Sequence, residues 1–401
     1  MRQSVHPFTQ RRGWRWLVGG LLFLWLSVVA HAESGPSAGR PGRGRAAAHV
    51  SLASVPLPRK AAMLNQALGR PARLLIGLGT TDAMTIVGQG IHPDIYDQYI
   101  NGVGTDSWVH WNQPAGAYLQ KVIQNAEMLG AVPMFTLYQM AARGDGDLSG
   151  LNDAAFMGDY WRNVHLLFQK LGEYGHPVLV NLEPDFWGYA LRLQPDPSRQ
   201  PAQVRLNSDC PDLPDSVTGV LACLIQTAHR LAPQTYVGIP PSLFVDLQAS
   251  EPDYLQRLGA GKADFMVMQT QDRDAGCMEA QDRTASCVRN GKSWYWDEDN
   301  RRSPNFREHF AMTRRYAQAL QLPVLWWQTP LGVPGDRPTG SAPWRDNRVR
   351  YFLTHAQELV DAGGFGVVFS PGEKSQTRID SDGGQFRTLS KAYLAQPAKL
   401  P

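Results

Sequence analysis

From Arg73 onward the chain repeats one theme: a short apolar strand, a loop of variable length, an amphipathic helix, then another strand. Alternation of this kind is the sequence form of a parallel α/β fold, in which each helix carries the chain back so that the next strand runs in the same direction. Strands are predicted at residues 74–78, near 99–111, and at 133–138, 177–183, 235–239, 264–269, 323–328 and 365–369. Helices are predicted at 117–129, 153–171, 217–231, 254–258, 305–320 and 347–362, with 385–395 closing the chain.

Eight strands interleaved with helical segments over about 330 residues fit a (β/α)8 TIM barrel with enlarged βα loops. A doubly wound open sheet is the competitor. A dinucleotide fold of that class needs a Gly-x-Gly-x-x-Gly turn after its first strand, and none stands there. Gly363-Gly364 precedes the eighth strand, where it reads as a helix C-cap and not as a phosphate loop.

Residues 1–32 read as an export signal: a basic start, an apolar run over 16–30, and the small-x-small end Ala30-His31-Ala32. The run is about 15 residues, short of the roughly 20 that a spanning helix needs, so cleavage after Ala32 is expected. No Cys follows it to take a lipid anchor. Residues 33–65, rich in Gly, Pro, Ala and Arg without an apolar period, read as a disordered linker, and 66–401 as the barrel domain. The expected location is periplasmic or extracellular. The formal charge of +3 includes Arg2, Arg11, Arg12 and Arg15 of the leader, and no basic arm or stripe remains to engage nucleic acid.

The four cysteines fall into two close pairs. In an oxidising compartment the expected bridges are Cys210 to Cys223 and Cys277 to Cys287. No Cys-x-x-Cys or His at ligand spacing accompanies them, so no metal or cofactor is expected.

In a barrel of this class the strands' C-terminal ends build the active site. Nine tryptophans lie beyond residue 32, and eight of them fall within or after a predicted strand: Trp108, Trp111, Trp187, Trp294, Trp296, Trp326, Trp327 and Trp344. Indole faces stack on sugar rings and their N–H groups reach hydroxyls, although large loops also need apolar anchors. Many carboxylates, Asp145 among them, also follow strands. The sharpest position is the end of the fourth strand, where Asn181, Glu183 and Asp185 share one face by alternation and Val180 and Leu182 take the other. Glu183 is therefore expected to point toward the barrel axis, fenced by Trp187 and Tyr189, with a raised pKa suited to a general acid. Gln139, Gln269, Gln271 and Gln328 form an expected amide rim for sugar hydroxyls, with Trp111, Tyr138, Asn181, Trp326 and Glu373 completing the binding surface.

Asn181-Leu182-Glu183-Pro184 resembles the fourth-strand end of the TIM-barrel glycoside hydrolase superfamily, in which this element supplies the acid/base. In the retaining group with Asn-Glu-Pro, a second Glu at the end of the seventh strand is the nucleophile. Trp326-Trp327-Gln328-Thr329 places Gln328 there, and an amide cannot form the glycosyl ester. The sixth-strand end, Met268-Gln269-Thr270-Gln271-Asp272, resembles that of chitinase-type barrels and offers Asp272 as the second carboxyl, with Asp185 and Glu373 as alternatives. Carboxyl separation would set retention or inversion.

No His-x-His, His-Glu-x-x-His or Gly-x-Ser-x-Gly element is present, which removes the barrel metallohydrolase and serine hydrolase readings. Two functions remain, beside an exported esterase or lyase on carbohydrate for which no triad is present. One is an exported glycoside hydrolase acting on an oligo- or polysaccharide. The other is a non-catalytic barrel of the cell envelope that binds a glycan through the same cleft.

Overall fold

The computed structural model describes residues 49–244, 246–270, 295–334, 346–371 and 377–401. Eight parallel strands close a barrel in chain order: β1 Leu75–Gly79, β2 Ile95–Asn101, β3 Val132–Tyr138, β4 Val178–Leu182, β5 Thr235–Ile239, β6 Phe265–Gln269, β7 Val324–Pro330 and β8 Gly364–Ser370. β8 pairs with β1, so no strand edge is left open. Four of these strands, β1, β4, β5 and β8, are buried along their whole length because helices cover one face and the packed barrel interior covers the other. That is why they read as continuous apolar runs.

The helices are α1 Leu57–Ala67, α2 Ala83–Gly88, α3 Ala117–Leu129, α4 Ala154–Tyr174, α5 Phe186–Leu193, α6 Val217–Leu231, α7 Glu251–Leu258, α8 Phe306–Leu320, α9 Arg348–Thr354, α10 Ala356–Asp361 and α11 Gln385–Ala395. α4 shows how the sequence makes them. The Asp153 carboxylate accepts from the Ala155 and Phe156 N–H groups at its start, and Gly175, at φ 68°, ends it in the left-handed region. Phe156, Met157, Trp161, Val164, Leu167, Phe168 and Leu171 supply its buried stripe, each contributing roughly 1.5–3 kcal/mol of apolar burial. At Gly172 a Cβ would stand 2.1 Å from the Leu231 carbonyl oxygen, so any side chain there would push α4 off the end of α6.

Three expectations are corrected. The linker was expected to run to residue 65, but α1 starts at Leu57, its Leu64 is wholly buried, and the Lys60 ammonium donates to the Gln321 carbonyl at 2.7 Å. An apolar period of two turns behind a proline N-terminus is too short to stand out in a Pro- and Ala-rich stretch. β2 lies at Ile95–Asn101, not near 99–111, because its polar Asp97-Gln98-Tyr99 centre does not look like a barrel strand. The helix expected over 347–362 is two helices that meet at His355. The Cys210–Cys223 bridge is formed, with Cα atoms 5.7 Å apart. Cys277 and Cys287 lie outside the described residues. No helix among the described residues is long and apolar enough to cross a membrane.

Candidate active site

Strand register decides which side chains enter the barrel. Tyr99 of β2 pairs with Thr136 of β3, Thr136 with Asn181 of β4, and Gln269 of β6 with Trp327 of β7, so each set points the same way. Contacts across the barrel show that way to be inward. The Asp97 carboxyl on β2 accepts from Thr136 Oγ1 and from Trp327 Nε1, both at 2.9 Å, although β2 and β7 are not neighbours in the sheet. Burial pushes the Asp97 carboxyl up to about 7, against the pull of those two donors.

One layer nearer the mouth stand Tyr99, Tyr138 and Gln328. The Tyr99 ring lies 5.7 Å from Trp327 and 6.1 Å from Tyr138, and Gln328 Nε2 donates to the Tyr99 hydroxyl. Gln328 reaches inward next to Trp327 because β7 is irregular there, with a register shift between Trp326 and Thr329 and a φ of 51° at Gln328. Asn181 is wholly buried among these groups, and neither its Oδ1 nor its Nδ2 has a protein hydrogen-bond partner. A buried amide left so costs about 1–3 kcal/mol.

Two carboxyls converge on Tyr138. Its hydroxyl donates to Asp145 Oδ1 at 2.5 Å. Burial first, and then the charges of Asp185 and Asp145, hold the Tyr138 phenol far above its ordinary value. Burial and the same two carboxyls also raise Tyr189. A shallow cleft between the loops after β3 and β4 is lined by Tyr138, Asp145, Gly146, Pro184, Asp185 and Tyr189. Gly146 is required there: its φ is 80°, and a Cβ would meet the Tyr189 ring at 2.9 Å. Backbone strain gathers at the same end of the barrel. Of seven described non-glycine residues with positive φ, Thr80, Glu183, Asp185, Leu243 and Gln328 follow or end strands on the mouth side.

Glu183 does not face the mouth. Its φ of 52° ends the alternation at Leu182, and the side chain that would have followed Asn181 inward turns to the β3 loop and α4. Oε2 accepts from the Gln139 and Met140 N–H groups, both at 2.9 Å, and the residue is 0% exposed. Burial drives its carboxyl up to about 8, while those two N–H groups and the nearby Tyr160 hydroxyl of α4 pull the other way. The expected pKa direction is met, but by enclosure in the outer layer and not by an indole-lined cleft.

Several other expected site residues are also turned outward. Gln139 is buried with its Oε1 taking the Trp108 Nε1–H and the Asn163 amide. Trp187 is buried with its N–H on the Leu182 carbonyl. Trp326 points to α8, where its N–H meets His309. These indoles and this amide are packing anchors between strands and helices. Trp111 is 43% exposed on the β2 loop and rests on Tyr118. Tyr138 and Asp185 line the cleft, Asn181 and Gln269 lie near the C-terminal ends of β4 and β6, and Gln328 reaches the Tyr99 hydroxyl. Asp272, Gln271, Glu373, Trp294 and Trp344 lie outside the described residues. Asp97, Tyr99, Trp327 and Asp145 are the interior and mouth residues that the sequence reading left out of the site. The alternation Asp97-x-Tyr99-x-Asn101 was the available signal, lost when β2 was placed too late.

A larger cavity, of about 650 Å³, lies at the opposite end of the barrel between His92, Pro93 and the α11 residues Arg387 and Lys391. Among the described residues no convergent set of carboxyls or unpartnered amides lines it. Among the described residues, one group could hold a metal ion, His49 with His229 and Asp264, and it too is away from the mouth.

No protein-family model and no curated protein matches the chain. Similar solved structures include an endo-β-1,4-glucanase from Xanthomonas axonopodis pv. citri at 12% identity and TM-score 0.46, covering 79% of this chain and 98% of that one. A GH5 family lichenase from Caldicellulosiruptor sp. F32 is similar at 10% identity and TM-score 0.38, covering 73% and 75%. A D-allulose 3-epimerase from Methylomonas sp. is similar at 12% identity and TM-score 0.38, covering 82% and 92%.

Proposed function

We propose that the chain binds a carbohydrate in the mouth of its barrel, against Tyr99, Tyr138, Trp327 and Gln328, and hydrolyses a glycosidic bond there with Asp145 and Asp185. The observation that supports it is the convergence of these two carboxyls on Tyr138, above an interior wall that holds the unpartnered Asn181 amide. Aromatic faces match the apolar faces of a sugar ring, and the amides supply donors and acceptors without charge.

Glycoside cleavage needs one carboxyl to protonate the leaving oxygen and another to activate water or attack the anomeric carbon. Asp145, already engaged as an acceptor by Tyr138, takes the second role and Asp185 the first. Asp97 positions the Trp327 indole from below, and Glu183 fastens the loop that carries Asp145. The leader before Glu33 takes the chain out of the cytoplasm, where the Cys210–Cys223 bridge is stable.

A second reading is a glycan-binding barrel without turnover. It is favoured by the burial of Glu183, the acid that the fourth-strand resemblance designates, and by the amide at Gln328. Product analysis on a panel of bacterial and plant glycans separates the two. The hydrolase releases reducing ends, and Asp185→Asn and Asp145→Asn each lower turnover by about 10²–10⁴. Binding that is lost in Tyr138→Ala, with no reducing ends from any glycan, would establish the binder.

A further inference from the structure

At the end of the barrel opposite the mouth, three side chains from distant parts of the chain meet. His49 precedes α1, His229 lies in the last turn of α6, and Asp264 stands just before β6. His49 Nε2 is 3.0 Å from Asp264 Oδ1, and His229 Nε2 is 2.9 Å from Asp264 Oδ2. The three donor atoms lie within 4.8 Å of one another. The imidazoles are stacked, with centroids 3.8 Å apart, so both present the same edge to the carboxyl.

We infer that His49, His229 and Asp264 form a site for a divalent transition metal of the zinc class, independent of the glycan-binding mouth. Tetrahedral zinc holds nitrogen and oxygen ligands at about 2.0–2.2 Å, which separates ligand atoms by roughly 3.3 Å. The two observed nitrogen-to-oxygen spacings, 3.0 and 2.9 Å, fall a few tenths of an ångström short of that value, so small side-chain rotations open the set around one ion. Two imidazoles and one carboxylate suit zinc, nickel or copper, whereas calcium and magnesium take oxygen ligands.

The outer contacts are those of a ligand set. His49 Nδ1 meets the Pro233 carbonyl at 3.2 Å, which fixes Nδ1 as the protonated nitrogen and leaves Nε2 to face the site. Asp264 Oδ2 is oriented by the Val237 N–H at 2.8 Å. The carboxylate is buried while both imidazoles reach the surface, which gives an ion a way in and leaves a fourth position to water. Binding replaces the two Nε2 contacts to Asp264 with bonds from Nε2 to the metal. The ion would pin the segment before α1 to the floor of the barrel, a structural role.

The test uses the full exported chain, stripped with a chelator and titrated with zinc chloride, with magnesium chloride as the control. One zinc per chain, a rise in Tm with zinc alone, and at least a tenfold weaker affinity in both His49→Gln and His229→Gln are expected. Glycan binding should be unchanged in those variants, which separates this result from the fate of the mouth reading. Zinc binding of equal strength in the variants, or no binding at micromolar zinc, overturns the inference. Cobalt(II) titration of the unaltered chain needs no substitution: four-coordinate d–d bands are expected, and a spectrum of the hydrated six-coordinate ion alone overturns it.

Discussion

In a Glu183→Gln variant the side chain keeps its length and an acceptor oxygen for the Gln139 and Met140 N–H groups, while the ionisable proton is gone. The folded-state pKa of about 8 lies above the ordinary 4.5, so the folded protein holds this proton more tightly than the unfolded chain does. Stability from that difference is fully present below pH 4.5 and is lost as pH rises through 8. A span of about 3.5 units at about 1.4 kcal/mol each bounds the loss at about 5 kcal/mol, and relaxation of the site brings the expected range to about 2–5 kcal/mol. The variant has no such loss. Urea denaturation of both proteins from pH 5 to pH 9 should therefore show the wild type falling relative to the variant by that amount. Groups common to both, such as Asp97, drop out of the difference. Turnover on a cleaved glycan should stay within about threefold, since the loop is still fastened, whereas loss of a general acid lowers the rate by about 10²–10⁴. Parallel stability curves together with a collapse of turnover would refute the structural role argued for Glu183.

Asp97→Asn should flatten the pH dependence of stability between about pH 4 and 7, because the wild-type carboxyl, pushed up to about 7, loses stabilisation as pH rises through that value. A difference curve that rises with pH would contradict the burial argument. Asn181→Leu should leave stability unchanged or raise it by about 1 kcal/mol, since no protein partner is lost, while glycan affinity falls about tenfold in calorimetry. Replacing Cys210 and Cys223 together by Ser opens a loop of 13 residues' separation and should cost about 2–4 kcal/mol, read as a lower Tm in the absence of reductant. Gly146→Val should weaken glycan binding by displacing Tyr189 while leaving the barrel's far-UV circular dichroism intact.

The barrel was legible because its strands are buried on both faces and its helices on one, so each element carries its own period. The cysteine pair was legible because bridge partners close in sequence need little tertiary information. Strand alternation puts Tyr138, Asn181 and Gln269 on the face they take within regular β structure, whereas Gln328 turns inward only through the irregularity of β7. The β2 site residues were hidden by polarity: a strand centred on Asp97 and Tyr99 does not read as a core strand until the ring of neighbours that solvates its carboxyl is known.

The amino-acid order by itself determined the class of fold, the end of the barrel where polar and aromatic residues collect, and the Cys210–Cys223 bridge. Only the tertiary structure decided which way Glu183 points, which tryptophans are anchors, and that His49, His229 and Asp264 share one carboxylate. Period-two reasoning holds only while φ stays in the β region, and one left-handed residue reverses every inference beyond it. Contacts between residues more than two hundred positions apart, such as His49 with Asp264, leave no local trace, because closure of the barrel, and not the spacing of residues, brings them together.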